Sequence, residues 1–107
     1  KIIHCDEFQT EGIDKIVERS RSRVGDNALY LSIDIDVLDP AFAPGTGTPE
    51  IAGMTTREIV NVIRGLSGLN LVSADVVEVA PAYDHAEVTS LAAATIVYEL
   101  TNLFAKV

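Results

Sequence analysis

Apolar residues fall along the chain in blocks of alternating period. Ile13, Ile16, Val17 and Val24 recur at helical spacing, with Asp14, Lys15, Glu18, Arg19 and Arg21 supplying a solvated side and Gly25 a C-terminal stop. The stretch from Ala28 to Val37 is rich in β-branched and aliphatic residues and reads as a buried strand. From Asp39 to Gly53 no period holds; Pro40, Pro44 and Pro49 with Gly45, Gly47 and Gly53 make a long, stiffened loop, of a length that compact domains usually keep for function. Thr55-Thr56-Arg57-Glu58 is a capping box that opens a helix with the apolar stripe Ile59, Val62, Ile63 and Leu66, ended by Gly65 or Gly68. Leu71 to Val79 is a second buried strand, stopped by Pro81. A last helix, from about Glu87 to Phe104, is expected to turn Val88, Leu91, Ala92, Thr95 and Leu103 inward, and Ala92-Ala93-Ala94 allow close approach to a sheet. The opening Lys1-Ile2-Ile3 is strand-like, which places His4 and Cys5 at that strand's end.

The order is thus strand, helix, strand, loop, helix, strand, helix. Non-alternating strands interleaved with helices predict an α/β protein, a parallel sheet with helices on its faces. Three strands make a thin sheet with exposed edges, and together with the abrupt start they suggest missing sequence.

Composition narrows the function classes. At 107 residues, 48% hydrophobic and 22% charged, the chain can bury a core without a disulfide or a structural metal. Sixteen acidic against eight basic residues give a net charge of −8, which argues against nucleic acid and anionic membranes as partners. Arg19, Arg21 and Arg23 crowd together, but at positions that make a solvated helix surface. A single cysteine, Cys5, rules out an internal disulfide and favours a reducing compartment. No apolar run reaches membrane-spanning length.

The chemistry concentrates in Ser32-Ile33-Asp34-Ile35-Asp36-Val37-Leu38-Asp39-Pro40. On an extended strand Asp34 and Asp36 project the same way, about 6.6 Å apart along the chain, with Ile33, Ile35 and Val37 turned into the packing. Two carboxylates held that close repel unless a cation lies between them; the plain alternative is an acidic strand end leaning into water. Ligands of parallel α/β sheets collect outside the carboxyl ends of the strands, and Glu78 falls at the next such end. Oxygen ligands of this kind suit magnesium or manganese, and paired metals can activate a water for attack at neutral pH.

Three other motifs fit less well. A calcium loop fails because Asp39 is out of step and Gly45 stands where a twelfth-position Glu is needed. A dinucleotide turn at Gly45-Thr46-Gly47-Thr48 fails because Glu50 replaces the third glycine and Pro49 blocks a helix start. Asp34-Ile35-Asp36-Val37-Leu38 also resembles the nucleophile motif of haloacid-dehalogenase-type phosphatases, but the downstream lysine which that chemistry needs could only be Lys106, next to the end.

The run Ser32-x-Asp34-x-Asp36-x-x-Asp39-Pro40, followed by Ala43-Pro44-Gly45-Thr46-Gly47-Thr48-Pro49-Glu50, resembles the ureohydrolase family of arginases, agmatinases and guanidinobutyrases. The likeness continues through Glu78-Val79-Ala80-Pro81 and Tyr83-Asp84-His85, in a version closer to agmatinases than to arginases. It implies a three-layer, arginase-like α/β fold with a binuclear manganese site, a guanidino substrate cleaved to urea and an amine, and a homo-oligomer, trimeric or hexameric. It also implies that Asp34 bridges both metals, Asp36 chelates one, Glu78 pairs with the substrate guanidinium, and Thr48 lies in the loop lining the pocket. Ala52-Gly53 departs from a glycine pair found in many members. The Gly-Gly-Asp-His and Asp-Ala-His-x-Asp segments that supply the family's other ligands are absent, and His4 and His85 read as a polar strand end and a helix start. The resemblance therefore points to residues 1–107 as the C-terminal third of such an enzyme's single α/β domain, inactive by itself, needing the missing N-terminal portion as partner, in the cytoplasm or, in a eukaryote, the mitochondrion. The rival reading is a non-catalytic acidic α/β module that binds a divalent cation weakly.

Overall fold

The computed structural model describes residues 1–105, so Lys106, the downstream lysine of the phosphatase comparison, lies outside the described residues. Helices α1 (Cys5–Glu11) and α2 (Ile13–Val24) lead into strand β1 (Leu29–Asp34) and a single 3-10 turn at Ile35–Val37. Helix α3 (Thr56–Gly65), strand β2 (Leu71–Val77), a second 3-10 turn (Pro81–Tyr83) and helix α4 (Val88–Ala105) follow. The strands pair in parallel, with Ile33 beside Val76 and Asp34 beside Val77.

Local chemistry explains where the elements start. Thr55 caps α3 reciprocally: its hydroxyl accepts from the Glu58 amide at 3.1 Å, and the Glu58 carboxylate accepts from the Thr55 amide at 2.8 Å. Ile59 and Ile63 then face the core, with Val60 buried beside them. Gly65 lets α2 cross α3 closely, since a Cβ there would lie 2.8 Å from the methyl groups of Val17. Arg19 pairs with Glu11 at 2.8 Å, and Arg21 donates to the carbonyls of Gly65 and Ser67 at the end of α3, so two of the three crowded arginines hold helices together.

One core joins Ile33 of β1 and Ala74 and Val76 of β2 to Ile16, Ile59, Ile63, Ala92, Ile96 and Leu100 of the helices. Burying an aliphatic side chain as completely as Ile35, Leu38, Ile63 and Ile96 contributes roughly 1.5–3 kcal/mol each. Residues of the opposite sheet face, Tyr30 and Ser32, are exposed.

Four expectations are corrected. Residues 1–4 form no strand: the His4 amide donates to the Glu7 carboxylate at 2.8 Å and starts α1 instead, so the described sheet has two strands. β2 ends at Val77, leaving Glu78 and Val79 beyond it, because Glu78 takes φ +66°, outside strand geometry. β1 ends at Asp34, whose carboxylate accepts from the Asp36 amide and turns the chain into the 3-10 segment. Val37 is consequently exposed while Leu38, one residue on, is fully buried and bridges to Met54.

The inward face of α4 is Thr89, Ala92, Ile96, Glu99 and Leu100, with Leu103 partly buried; Leu91 and Thr95 point outward and Val88 is exposed. This helix is apolar nearly all round, so hydrophobic spacing does not choose its face. Its two buried polar residues mark it: Glu99 receives the Arg64 guanidinium at 2.9 and 2.6 Å, and the Thr89 hydroxyl accepts from the Gly45 amide at 2.8 Å. The same 18-residue helix, with mean hydropathy 1.3, is long and apolar enough to span a membrane, contrary to the sequence expectation. One side of it packs on β2 and α3 and carries the paired Glu99, while Leu91, Val97 and Tyr98 on its other side are exposed.

Candidate functional site at the carboxyl end of the sheet

Both strands run the same way, so their carboxyl ends lie together, and the register that sets Asp34 beside Val77 puts Glu78 one residue past it. Asp34 is half-buried and uses Oδ1 to accept the Asp36 amide at 3.1 Å. Asp36 is therefore held by a turn and not by strand alternation. Its Oδ2 accepts the Thr48 hydroxyl at 2.8 Å, which ties the Gly-Thr-Gly-Thr loop to the first strand end. The second oxygen of each aspartate has no hydrogen bond from the described residues.

Glu78 is exposed, and none of the described residues hydrogen-bonds its carboxylate. Its φ of +66° is a left-handed conformation that costs a non-glycine residue about 1–2 kcal/mol. Such strain persists where surrounding structure overrides local preference, and here it marks the point at which the chain leaves β2. The structure thus places Asp34, Asp36, Thr48 and Glu78 at one end of the sheet, with direct contacts linking the first three. His4 and His85 are exposed and belong to helix starts, as the first turn of α1 and the approach to α4.

Three further carboxylates lie near this end; Asp39 and Asp84 stood inside the motifs read from sequence, but none of the three was given a role there. Asp39 accepts from the amides of Ala41 (2.8 Å) and Ala52 (3.0 Å), stapling the long loop at both ends; an Asp-Pro pair at a loop start is a turn signal that could have revealed it. Asp75 accepts the hydroxyls of Tyr30 and Ser32, the latter at 2.6 Å. These two bonds, that from Ser32 first, hold its carboxyl below the ordinary range. Asp84 accepts the amides of His85, Thr89 and Ser90, each at 2.9 Å. Partial desolvation opposes its ionisation, but the Thr89 hydroxyl and these amides outweigh it and hold the carboxyl far below its usual value. An aspartate just before an apolar helical run is a recognisable cap signal.

The donor set available for a metal is two aspartates with spare oxygens, hard ligands of the kind divalent manganese or magnesium accepts. Among the described residues no three His, Cys, Asp or Glu side chains converge tightly enough to hold an ion. Asp34 and Asp36 alone could supply only part of a metal site.

A parallel α/β sheet with open carboxylates and a Thr-bearing loop at its carboxyl end defines a class of site before any protein is named. Within that class the sequence matches the arginase family over residues 1–102, and the chain belongs to that family. It is 62% identical over 106 residues to "Putative agmatinase 1" of Schizosaccharomyces pombe, covering 99% of this chain and 27% of that protein. It is 50% identical over 106 residues to the guanidinopropionase of Pseudomonas aeruginosa, covering 99% of this chain and 33% of that one. The proclavaminate amidino hydrolase of Streptomyces clavuligerus superposes with a TM-score of 0.97 at 42% identity, over 99% of this chain and 36% of that structure. The chain spans about a third or less of the length of the curated relatives it matches. The arginase-like fold expected from the sequence is the fold found.

Proposed function

We propose that this chain is the metal- and guanidinium-binding portion of a guanidino ureohydrolase that yields urea and an amine. The observation that carries the reading is the pair Asp34 and Asp36, tied to Thr48, at the carboxyl end of β1, with Glu78 one residue past the end of the paired β2. In this reading Asp34 would hold both manganese ions and Asp36 one of them, Asp36 being oriented by Thr48. Bound manganese would supply an activated water at neutral pH. Glu78, which no described residue hydrogen-bonds, receives the planar guanidinium, for which a carboxylate offers two parallel hydrogen bonds. Thr48 fixes the orientation of Asp36 and lines the pocket beside it.

The names of the relatives, agmatinase and guanidinopropionase, support a guanidino substrate with a short chain attached. Residues outside this chain complete the metal site and read the far end of that substrate. In the same reading the complete protein assembles as a trimer or hexamer, in the cytoplasm or, in a eukaryote, the mitochondrion.

The test is urea release from agmatine, guanidinobutyrate and guanidinopropionate by the full-length protein with manganese, beside residues 1–107 alone. Urea from at least one substrate by the former and none by the latter is expected. No urea from the full-length protein overturns the reading, and turnover by residues 1–107 overturns the division of the site.

A further inference from the structure

The Thr48 loop is not held by Asp36 alone. Behind it, Gly45 is buried and contacts the start of α4 through both backbone and packing. The Gly45 amide donates to the Thr89 hydroxyl at 2.8 Å, and the Gly45 carbonyl accepts the Ala80 amide at 2.8 Å. A Cβ at position 45 would lie 2.8 Å from the Asp84 Cβ and 2.9 Å from its Cα, so the backbones meet without room for a side chain. Thr89 is fully buried, and its backbone amide in turn donates to the Asp84 carboxylate, which also takes the amides of His85 and Ser90. A continuous chain of hydrogen bonds therefore runs from the loop, through Thr89, to Asp84.

We infer that Thr89 and Asp84 are positioning residues: they clamp Gly45 so that Thr48 is presented to Asp36, and through Ala80 they fix the segment that carries Glu78. Two features make this more than a helix cap. A cap needs only the amide bonds to Asp84, whereas the Thr89 hydroxyl spends its acceptor capacity on a residue 44 positions away. Ala80 lies two residues beyond Glu78, so one glycine joins the metal-side loop to the strand end that carries the guanidinium acid. Both halves of the pocket are thereby referenced to the same point on α4. A loop with three prolines is stiff but has no ladder to place it; a buried hydrogen-bonded chain supplies that placement.

The inference rests on the proposed function for its link to turnover, and amide exchange gives a readout independent of that link. In the full-length protein, Thr89→Val keeps the side-chain shape and removes the hydroxyl. The amides of Gly45 and Thr46 should then exchange about tenfold faster, the worth of one buried hydrogen bond, while those of α2 and α3 stay as in the wild type. The KM for the guanidino substrate should rise by about the same factor with kcat within about twofold, because only pocket placement is lost. Thr89→Ser should restore both. Asp84→Asn, which leaves Thr89 in place but puts an amide donor among amide donors, should accelerate the same loop amides, and it serves if Thr89→Val does not fold. Unchanged loop exchange in the folded variant, or equal acceleration in Thr89→Ser, overturns the clamp. If the wild type releases no urea the proposed function falls, and the exchange data still decide the clamp.

Discussion

The loop from Pro44 to Glu50 touches two aspartates that are used in opposite ways. On one side Asp84 is saturated: three backbone amides occupy its oxygens, and it is held ionised well below the usual carboxylate range. On the other side Asp36 takes one hydroxyl, from Thr48, and keeps its second oxygen open. Asp39 and Asp75 follow the first pattern, Asp34 and Glu78 the second. Saturated carboxylates hold the chain in place, whereas open ones at a strand end have capacity left for a ligand. Acidity alone does not separate the two kinds; the count of protein donors does.

The strongest challenge to this division is to neutralise an open carboxylate. Asp34→Asn in the full-length protein should reduce manganese retention and lower urea formation by at least about a hundredfold, the upper range seen when a residue merely supporting a metal ligand is changed. Asp36→Asn should do the same to a lesser degree, since in the proposed site it holds one metal and Asp34 holds two. Metal analysis alongside the urea assay checks both. Full occupancy with normal turnover in Asp34→Asn would return that residue to the structural group.

Glu78→Gln sharpens the comparison within the open group. Its expected signature is retained manganese with kcat/KM reduced by about ten- to a hundredfold, matching the roughly 1.5–3 kcal/mol of a charge-assisted hydrogen bond. Loss of manganese from this variant would make Glu78 a ligand and redraw the site.

The helical half of the molecule was legible because single residues carry unambiguous local signals. Thr55 and Glu58 announce the start of α3, Gly25 ends α2, and prolines and glycines outline the long loop. The strands were legible as buried runs, but not their ends. Asp34 stops β1 through a bond to the amide two residues on, and Glu78 leaves β2 in a left-handed conformation that nothing in a Val-Val-Glu-Val run foretells. The face of α4 was misassigned because its partners, Gly45 and Arg64, lie 44 and 35 residues away, beyond the reach of any helical period. The first strand was misread because three apolar or cationic residues suit a strand only if another strand lies beside them, and among the described residues none does. The candidate site itself was visible as residue types in register; what the sequence withheld was which carboxylates the backbone had already claimed.

The smallest expected effect concerns a residue on the saturated side of the division. Ala52 adopts φ +66° while its amide donates to Asp39 at 3.0 Å, so a saturated carboxylate holds an alanine where glycine is preferred. The neighbouring Gly53 cannot relieve this, because a Cβ there would lie 2.6 Å from the Asp39 nitrogen. In Ala52→Gly the amide bond to Asp39 is kept and the left-handed strain of about 1–2 kcal/mol disappears. The added freedom of glycine in the unfolded chain offsets about 0.4–1 kcal/mol of that gain. The net is a stabilisation of about 0.5–1 kcal/mol, read as a rise in Tm of about 1–3 °C for a protein of this family's length. Urea formation should be unchanged, since the open oxygens of Asp34 and Asp36 are untouched. A fall in Tm would mean that Ala52 carries packing worth more than its strain, and the staple at Asp39 would then depend on the methyl group as well as the amide.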